Sequence, residues 1–295
     1  MISILIPVYE ESCIHLVNDL REQAKKLSED YEILVFDDCS PTRREDNRPL
    51  ASMRGVFYHE LSANVGRSAI RNLLADRAKG DKLLFMDCDS KVIREDFLEK
   101  YLNEADTADV VCGGRIYTPK EETERKYMLN WKCGVERECF KNRVGENAFL
   151  SNNFMIKKTV FQSVRFDETI KDYGHEDTLF GLQLKKKGFR ITDINNPVIH
   201  LHLSDFDSFM SKTCQGVRNL KKLLQTSDCK EELAQLPLVR AYNGLRKCGM
   251  SSLYCILFHI AKPFMLRCLA VNNPSLTLFD LYKLGIFCEK DKARS

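Results

Sequence analysis

The segment Leu83-Leu84-Phe85-Met86-Asp87-Cys88-Asp89-Ser90 is the most informative part of the chain. Its four leading apolar residues predict a strand that is buried on both faces, as inside a parallel sheet. Asp87 and Asp89 follow, at the end where open α/β sheets bind their ligands. Carboxylate oxygens suit Mg²⁺ or Mn²⁺, which often bind protein carboxylates and substrate phosphates together. The segment therefore predicts a metal-diphosphate site, with a solvated turn as the alternative because Asp is common in turns.

Composition narrows the class of protein. The chain has 295 residues, 44% of them hydrophobic, which is enough for one substantial core and a smaller appendage. Its formal net charge of +3 does not indicate a nucleic-acid binder. The 12 cysteines include no Cys-x-x-Cys pair, so we expect free thiols in a reducing cytoplasm.

The sequence predicts neither a targeting signal nor a membrane span. No basic segment or cleavage site precedes the first strand, so we expect no secretory signal. The most apolar segment, 250–271, is interrupted by Lys262, Pro263 and Arg267, so we do not expect a transmembrane helix there.

Short apolar segments alternate with amphipathic ones over the first ninety residues. Strands are predicted over residues 2–8, 32–38, 55–58 and 83–86, and helices over 10–27 and 68–78. The first helix would carry Glu10 and Glu11 in its first turn, and Gly80 would cap the second. This alternation predicts a doubly wound, mainly parallel sheet.

The predicted strand ends are polar and mostly acidic. Tyr9, Asp38, Asp87 and Asp89 would meet at the carboxyl edge of the sheet, which favours a nucleotide pocket. The chain has no G-x-G-x-x-G after its first strand and no G-x-x-x-x-G-K-[ST]. These absences argue against a dinucleotide enzyme and against a P-loop ATPase.

The middle of the chain is less regular. We predict a helix over 94–105, strands over 109–114, 148–156, 190–194 and 197–202, and a charged surface helix or connection over 120–143 around a buried Trp131. A further helix begins at Glu176 and Asp177 and ends at Gly188; acidic residues there suit either a functional role or the helix dipole alone. His200 and His202 alternate along a strand and could reach one metal together.

From Asp205 onward the sequence predicts only helices. An apolar segment, 251–264, lies among the basic residues Arg240, Arg246, Lys247, Lys262 and Arg267. Two interpretations stay open at this point. The segment either completes the core below the sheet or lies as an amphipathic helix on an anionic membrane surface.

Five short motifs follow one another in a fixed order. They are Pro7-Val8-Tyr9, Asp37-Asp38-Cys39-Ser40, Asn64-Val65-Gly66-Arg67 leading to Ala69-Ile70-Arg71-Asn72, Asp87-Cys88-Asp89, and Gly174-His175-Glu176-Asp177. The order resembles the family 2 glycosyltransferases of the GT-A fold, and Asn196-Pro197-Val198-Ile199-His200 resembles the family's closing strand. The resemblance implies a Rossmann-like α/β GT-A domain over 1–203, with a mainly parallel sheet flanked by helices, and a C-terminal helical extension over 204–295.

The resemblance also implies roles for individual residues. Nucleotide contacts are expected from Pro7, Tyr9, Glu11, Asp38, Arg67 and Asp87. Mn²⁺ or Mg²⁺ would be held by Asp89, Asp87 and His200, with Asp177 as general base and Glu176 positioning the acceptor. Arg67 and Arg71 would either bind phosphate or form salt bridges with neighbouring carboxylates.

The expected function is that of a metal-dependent inverting hexosyltransferase. It would move a sugar from a nucleotide donor, commonly UDP-linked in that family, to a hydroxyl of a saccharide or lipid-linked acceptor in cell-surface polysaccharide synthesis. We expect a cytoplasmic enzyme with peripheral contact at the inner membrane face and no nucleic-acid partner. One alternative is a non-catalytic nucleotide-sugar-binding subunit, although Asp87, Asp89, Glu176, Asp177 and His200 are all retained. The other is a sugar-1-phosphate nucleotidyltransferase, although the first strand is followed by no Gly-rich basic loop.

Overall fold

The computed structural model describes residues 1–139, 149–171 and 173–289. These residues form two compact units. The first holds the described residues of Met1–Thr118, Val135–Lys171 and Glu176–His202. The second holds Pro119–Gly134, residues 173–175 and residues 203–289.

Strands of the first unit form two sheets. The strands are β1 (Ile2–Val8), β2 (Tyr31–Asp37), β3 (Val56–Glu60), β4 (Lys82–Met86), β5 (Ser90–Lys91), β6 (Val110–Cys112), β7 (Arg115–Ile116), β8 (Asn153–Lys157), β9 (Ile191–Asp193) and β10 (Val198–His200). The larger sheet has the order β3-β2-β1-β4-β8-β6-β9, and the smaller has the order β5-β10-β7. In the larger sheet β8 runs antiparallel to β4 and β6, and the other pairs are parallel. This mostly parallel sheet confirms the predicted α/β fold.

Helices flank this sheet and make up most of the second unit. They are α1 (Ile14–Ala24), α2 (Arg44–Asn47), α3 (Arg67–Arg77), α4 (Phe97–Glu104), α5 (Met128–Cys133), α6 (Lys158–Ser163), α7 (Glu176–Lys186), α8 (Phe206–Thr226), α9 (Lys230–Ala234), α10 (Pro237–Lys247), α11 (Ser251–Leu269) and α12 (Leu276–Cys288). In the described part of the predicted charged connection, short 3₁₀ turns precede α5, and a π-helical turn follows it. Trp131 is only partly buried. The remainder of that connection, and the first residue of the strand predicted over 148–156, lie outside the described residues.

The side chains of β4 are buried on both faces of the sheet. Leu84 and Met86 belong to one hydrophobic core, and Leu83 and Phe85 belong to the other, because alternate residues of a strand point to opposite faces. The ring of Phe85 stacks 4.9 Å from that of Phe154. Truncating such a fully buried aromatic costs about 3–5 kcal/mol of stability, so this strand is firmly held.

Two predicted helix ends differ from the structure. Helix α1 begins after Cys13, so Glu10 and Glu11 are not in its first turn. Glu10 instead has a left-handed backbone, with φ of 54°, and its carboxylate accepts hydrogen bonds from Thr42. Gly80 is not a helix cap, since the chain is already extended at Ala78. A glycine fits at position 80 because a Cβ there would lie 2.7 Å from the carbonyl oxygen of Met1.

The C-terminal part of the second unit is helical, as predicted. Helix α11 packs against α12, where the ring of Phe258 meets that of Tyr282 at 5.4 Å. The helix continues through Lys262, Pro263 and Arg267, the three residues that interrupt its apolar run in the sequence. Within the described part of the chain it is the one helix that is long and apolar enough to cross a membrane, judged by length and composition alone.

Candidate functional site

Three neighbouring strand ends define the candidate site. Strand β1 pairs in parallel with both β2 and β4, so the carboxyl ends of all three lie side by side. This places Tyr9, Asp38 and the Asp87/Asp89 pair along one edge of the sheet, as predicted. Pro7 is partly buried within β1, whereas the side chain of Tyr9 is 52% exposed at its end.

The end of β2 is built around a satisfied carboxylate. Asp38 is buried, and its two oxygens accept hydrogen bonds from the backbone amides of Val65 at 2.7 Å and Gly66 at 3.0 Å. Burial raises the pKa of Asp38, and the two amide hydrogen bonds act against that rise. Gly66 has φ of 88°, a left-handed conformation that favours glycine, and it directly precedes α3. Asp38 therefore holds the loop from which α3 starts.

The end of β4 carries a partly buried ion pair. Arg71, on α3, is buried and donates from Nη2 to Oδ1 of Asp87 at 2.8 Å. Its Nε and Nη1 groups have no hydrogen-bond partner among the described residues, and neither do Oγ of Ser68 and Oδ1 of Asn152. Leaving a buried polar group unsatisfied costs about 1–3 kcal/mol. Several of them at one strand end indicate a place that a polar ligand completes.

Asp89 is held by the smaller sheet. The antiparallel register of β5 and β10 sets His200 opposite Ser90, so Nδ1 of His200 lies 3.3 Å from Oδ2 of Asp89. Burial alone would raise the pKa of Asp89, but the hydrogen bond from His200 and the nearby charges hold it below its usual value. Its other oxygen, Oδ1, is buried and has no partner in the described chain.

These residues fit a hard divalent cation. No three His, Cys, Asp or Glu side chains of the described residues form a ready-made metal cage. Mg²⁺ and Mn²⁺ commonly take only one or two protein carboxylates and complete their shell with water and substrate phosphates. An ionised Asp89 with an unpartnered buried oxygen matches that requirement, and Asp87 stands beside it although one of its oxygens is paired with Arg71.

The two histidines do not share one partner. His202 lies beyond β10, and its Nδ1 is 2.6 Å from Oε2 of Glu11, which also faces Arg43 at 3.4 Å. His200 lies within ion-pair distance of Asp89, and the charge of His202 also lowers the pKa of Asp89. That both histidines reach one metal together stays a prediction, and Glu11 is engaged with His202 and Arg43.

Arg115 is a site residue that sequence reasoning missed. It lies on β7, opposite Val198 of β10, and its Nη1 is 3.4 Å from Oε2 of Glu138. Burial opposes its charge, but Glu138, Tyr117, Asp87 and Asp89 raise the pKa of Arg115 above its usual value. Its Nε has no partner in the described part of the chain. A charged residue directly after Gly113-Gly114 and an apolar strand was the available signal.

Helix α7 supplies the remaining carboxylates. Glu176 is buried and lies 3.7 Å from Nη1 of Arg67. Asp177 accepts a hydrogen bond from the amide of Thr178 at 2.7 Å. Burial and the charge of Glu176 raise the pKa of Asp177 to about 7, while the Thr178 amide, Arg115 and Arg71 act in the opposite direction. A carboxylate poised near neutral pH suits a general base.

Electrostatic coupling joins α7 to the end of β4. Arg115 and Arg71 influence the pKa of Asp177, and the same two arginines act on the Asp87/Asp89 pair. For Arg67 and Arg71, the structure shows salt bridges to Glu176 and Asp87. Arg71 nevertheless keeps two buried N–H groups for a ligand, so the phosphate interpretation also remains available to it.

Known glycosyltransferases resemble this chain in sequence. The family "Glycosyl transferase family 2" matches residues 3–167. An uncharacterized glycosyltransferase of Haemophilus influenzae is 30% identical over 259 residues, which cover 84% of this chain and 97% of that protein. The uncharacterized glycosyltransferase YfnE of Bacillus subtilis is 27% identical over 226 residues, covering 70% of this chain and 55% of that protein.

Solved structures share the fold. The mannosyltransferase PcManGT from Pyrobaculum calidifontis, in complex with GDP-Man and Mn²⁺, aligns with a TM-score of 0.61 at 13% identity, covering 97% of this chain and 85% of that one. TarS of S. aureus (residues 1–349, with UDP-GlcNAc) aligns with a TM-score of 0.51 at 14% identity, covering 97% and 90% of the two chains. At such identities the likeness establishes the GT-A fold alone.

Proposed function

The chain belongs to glycosyl transferase family 2 and is a glycosyltransferase, and we propose that its donor is a UDP-linked sugar. The transfer inverts the configuration of the anomeric carbon and requires a divalent cation. The observation that carries the proposal is the coupled group of charges at the end of β4. It combines an ionised Asp89 with an unpartnered oxygen, Arg71 paired with Asp87, and Asp177 with a pKa of about 7.

Asp177 acts as the general base. Its carboxylate removes the proton from the acceptor hydroxyl as the hydroxyl oxygen attacks the anomeric carbon. The bond from that carbon to the diphosphate oxygen breaks in the same displacement, so the configuration inverts and no enzyme nucleophile is required. Glu176, next to Asp177 on α7 and close to Arg67, positions the acceptor.

The end of β4 receives the diphosphate. Asp89, with Asp87 and His200, would hold Mn²⁺ or Mg²⁺, and such a cation neutralises negative charge on a leaving diphosphate. The unpartnered N–H groups of Arg71 and Arg115 donate to the phosphate oxygens. Diphosphate binding would thus satisfy buried donors that have no acceptor among the described residues.

The ends of β1 and β2 receive the nucleoside. Pro7 and the exposed Tyr9 border the base, and Glu11 and Arg67 lie on the rim of the same edge. Asp38 accepts from the base with the lone pairs that Val65 and Gly66 leave, since a carboxylate offers about four acceptor positions. PcManGT and TarS, which share the fold, carry GDP-Man and UDP-GlcNAc respectively.

The acceptor is a hydroxyl of a saccharide or of a lipid-linked saccharide, in the synthesis of a cell-surface polysaccharide. We place the enzyme in the cytoplasm, in peripheral contact with the inner face of the membrane. What supports this placement is the exposed apolar helix α11, which lies in a basic part of the chain.

A donor screen with product analysis tests the proposed function. The full chain is incubated with UDP- and GDP-sugars, Mn²⁺ and saccharide acceptors, and the products are analysed by mass spectrometry and by NMR of the anomeric carbon. We expect one UDP-sugar to be consumed with inversion, no turnover in EDTA, and recovery on adding Mn²⁺ or Mg²⁺. Retained configuration, or full activity in the chelator, would contradict the proposal.

A further inference from the structure

One side of α11 is an exposed apolar stripe. Its members are Leu253, Ile256, Leu257, Ile260 and Phe264, with Met250 at the N-cap, and we call these six residues the α11 outer face. They are between 50% and 72% exposed. Spacings of three and four residues place them on one side of the helix.

The α11 outer face is unusual within this chain. It contains six of the 14 large hydrophobic residues that are exposed in the described structure. The other eight, such as Phe57 and Ile93, are scattered through the sequence. Scattered exposed residues need no explanation, whereas a contiguous apolar patch indicates a surface that is covered in use.

The charged residues of α11 and of the chain on either side of it are all basic. Residues 233–279 contain no Asp or Glu but include Arg240, Arg246, Lys247, Lys262 and Arg267. Arg246 and Lys247 are exposed just before α11, and Arg267 is exposed in its last turn. An apolar stripe with cationic side chains at both ends is complementary to a bilayer that contains anionic lipid, because such a bilayer has an apolar interior beneath a negatively charged layer of headgroups.

We propose that the α11 outer face lies in the plane of an anionic bilayer surface, with its apolar side chains in the headgroup boundary and Arg246, Lys247 and Arg267 at the lipid phosphates. This proposal rests on the proposed function, in which the enzyme contacts the membrane peripherally, and it assigns that contact to α11. Helix α11 is then an interfacial anchor of the second unit.

The opposite side of α11 makes protein contacts, which argues against a spanning role. Phe258, Met265 and Leu269 are buried, and Lys262 lies over the Phe258 ring and 3.5 Å from Oε1 of Glu289. A spanning helix would have to expose this side, including a charged side chain, to lipid or to other membrane helices. An interfacial helix exposes only its outer face, as here.

A second copy of the chain fits the α11 outer face less well than lipid does. In an antiparallel pair of α11 helices, Arg246 and Lys247 would meet Arg267 of the other copy, and in a parallel pair each would meet its own counterpart. No acidic residue of α11 is available to offset this repulsion. Like charges facing one another across an interface are unfavourable.

Vesicle flotation of the full chain tests the proposal. Phosphatidylcholine vesicles with and without about 30% phosphatidylglycerol are compared in about 0.01 M and about 1 M salt, where the screening length falls from about 30 Å to about 3 Å. We expect flotation with the anionic vesicles in low salt and release in high salt. Ile260→Glu should lower the vesicle partition coefficient by about tenfold or more, since a buried Ile side chain is worth about that factor. Phe57→Glu, on β3 and 51% exposed, is the matched control and should float like the wild type.

Three results would overturn the proposal. The first is equal flotation of Ile260→Glu and Phe57→Glu. The second is wild-type protein that resists extraction by alkaline carbonate, as a spanning helix does. The third is a lipid-free dimer that Ile260→Glu converts to monomers. Turnover of the nucleotide sugar on a soluble acceptor is measured in parallel; it should be unchanged in Ile260→Glu, so failure of the anchor and failure of the transferase are separately visible.

Discussion

Strands β2 and β4 both end in aspartates, but the two ends use them differently. At the end of β2, both oxygens of Asp38 accept backbone amides, and Oδ1 of Asp37 accepts the amide of Ser40, so Oδ2 of Asp37 is the one carboxylate oxygen of this pair that lacks a partner among the described residues. At the end of β4, Asp89 keeps a buried oxygen without a partner, and Arg71 keeps two such N–H groups, among the described residues. The first end mainly holds a loop in place, and the second leaves both donors and acceptors for a ligand.

The difference shows how a scaffold carboxylate can be told from a reactive one. Acidic strand ends look alike in sequence, but Asp37 and Asp38 are buried and Asp87 and Asp89 are only partly buried. The two ends also differ in how fully the fold supplies hydrogen-bond partners, since an unpaired buried polar group is costly unless something completes it. The following predictions test this division.

The largest effect is expected at the carboxylate that reacts. Asp177→Asn should lower kcat by about 10²–10⁴-fold, because general base catalysis contributes that factor. The Kd for the nucleotide sugar, measured by calorimetry, should stay close to the wild-type value because Asp177 does not bind the donor. A variant that keeps most of its kcat would remove Asp177 from the mechanism.

The pH dependence of the wild type should follow the same group. With the pKa of Asp177 raised to about 7, kcat/KM should fall about tenfold per pH unit below that value and level off above it.

The folded state holds this proton more tightly than the unfolded chain, so the contribution of Asp177 to stability is present below the ordinary Asp pKa and is lost as pH rises to about 7. The Tm of Asp177→Asn should therefore gain on the wild type between about pH 4 and pH 7. Parallel Tm curves would argue against the raised pKa.

Arg71 should contribute to UDP affinity through its N–H groups as well as through its charge. Arg71→Lys keeps the cation but loses the guanidinium N–H groups, two of which have no partner in the described part of the chain. We expect UDP to bind more weakly by about 1.5–3 kcal/mol, the range for a hydrogen bond to a charged group. Unchanged UDP affinity, with the fold intact by circular dichroism, would assign Arg71 to structure only.

The smallest effect on chemistry is expected at the end of β2. Asp38→Asn should lower stability by about 1–3 kcal/mol, because one backbone amide would face an amide group instead of a carboxylate oxygen. UDP should bind more weakly because the base loses an acceptor, while the requirement for Mn²⁺ should not change. If Asp38→Asn alters the metal requirement, the division between the two strand ends is wrong.

Much of this arrangement could be predicted from local sequence. Strand β4 and its two aspartates follow from one apolar run, and the α/β alternation gives the edge at which Tyr9 and Asp38 meet them. Acidic residues at the start of α7 were also visible in the pattern of Glu176 and Asp177.

The remaining features depend on contacts between distant parts of the chain. Arg115 enters the site because β7 pairs with β10, and His200 faces Asp89 because the β5–β10 register sets it opposite Ser90. The start of α1 shifts because the carboxylate of Glu10 binds Thr42, a contact across 32 residues. Local periodicity carries no information on such pairings.

The account rests most directly on which strand end holds the cation. Mn²⁺ is titrated into the wild type, Asp89→Asn and Asp38→Asn in the presence of UDP, and free Mn²⁺ is measured by electron paramagnetic resonance. We expect one tightly bound Mn²⁺ per chain in the wild type. Asp38→Asn should bind the same amount once UDP is raised to a concentration that saturates this variant. Asp89→Asn should lose most of its Mn²⁺ binding. Wild-type Mn²⁺ binding in Asp89→Asn, or its loss only in Asp38→Asn, would contradict the assignment of the end of β4 as the ligand site.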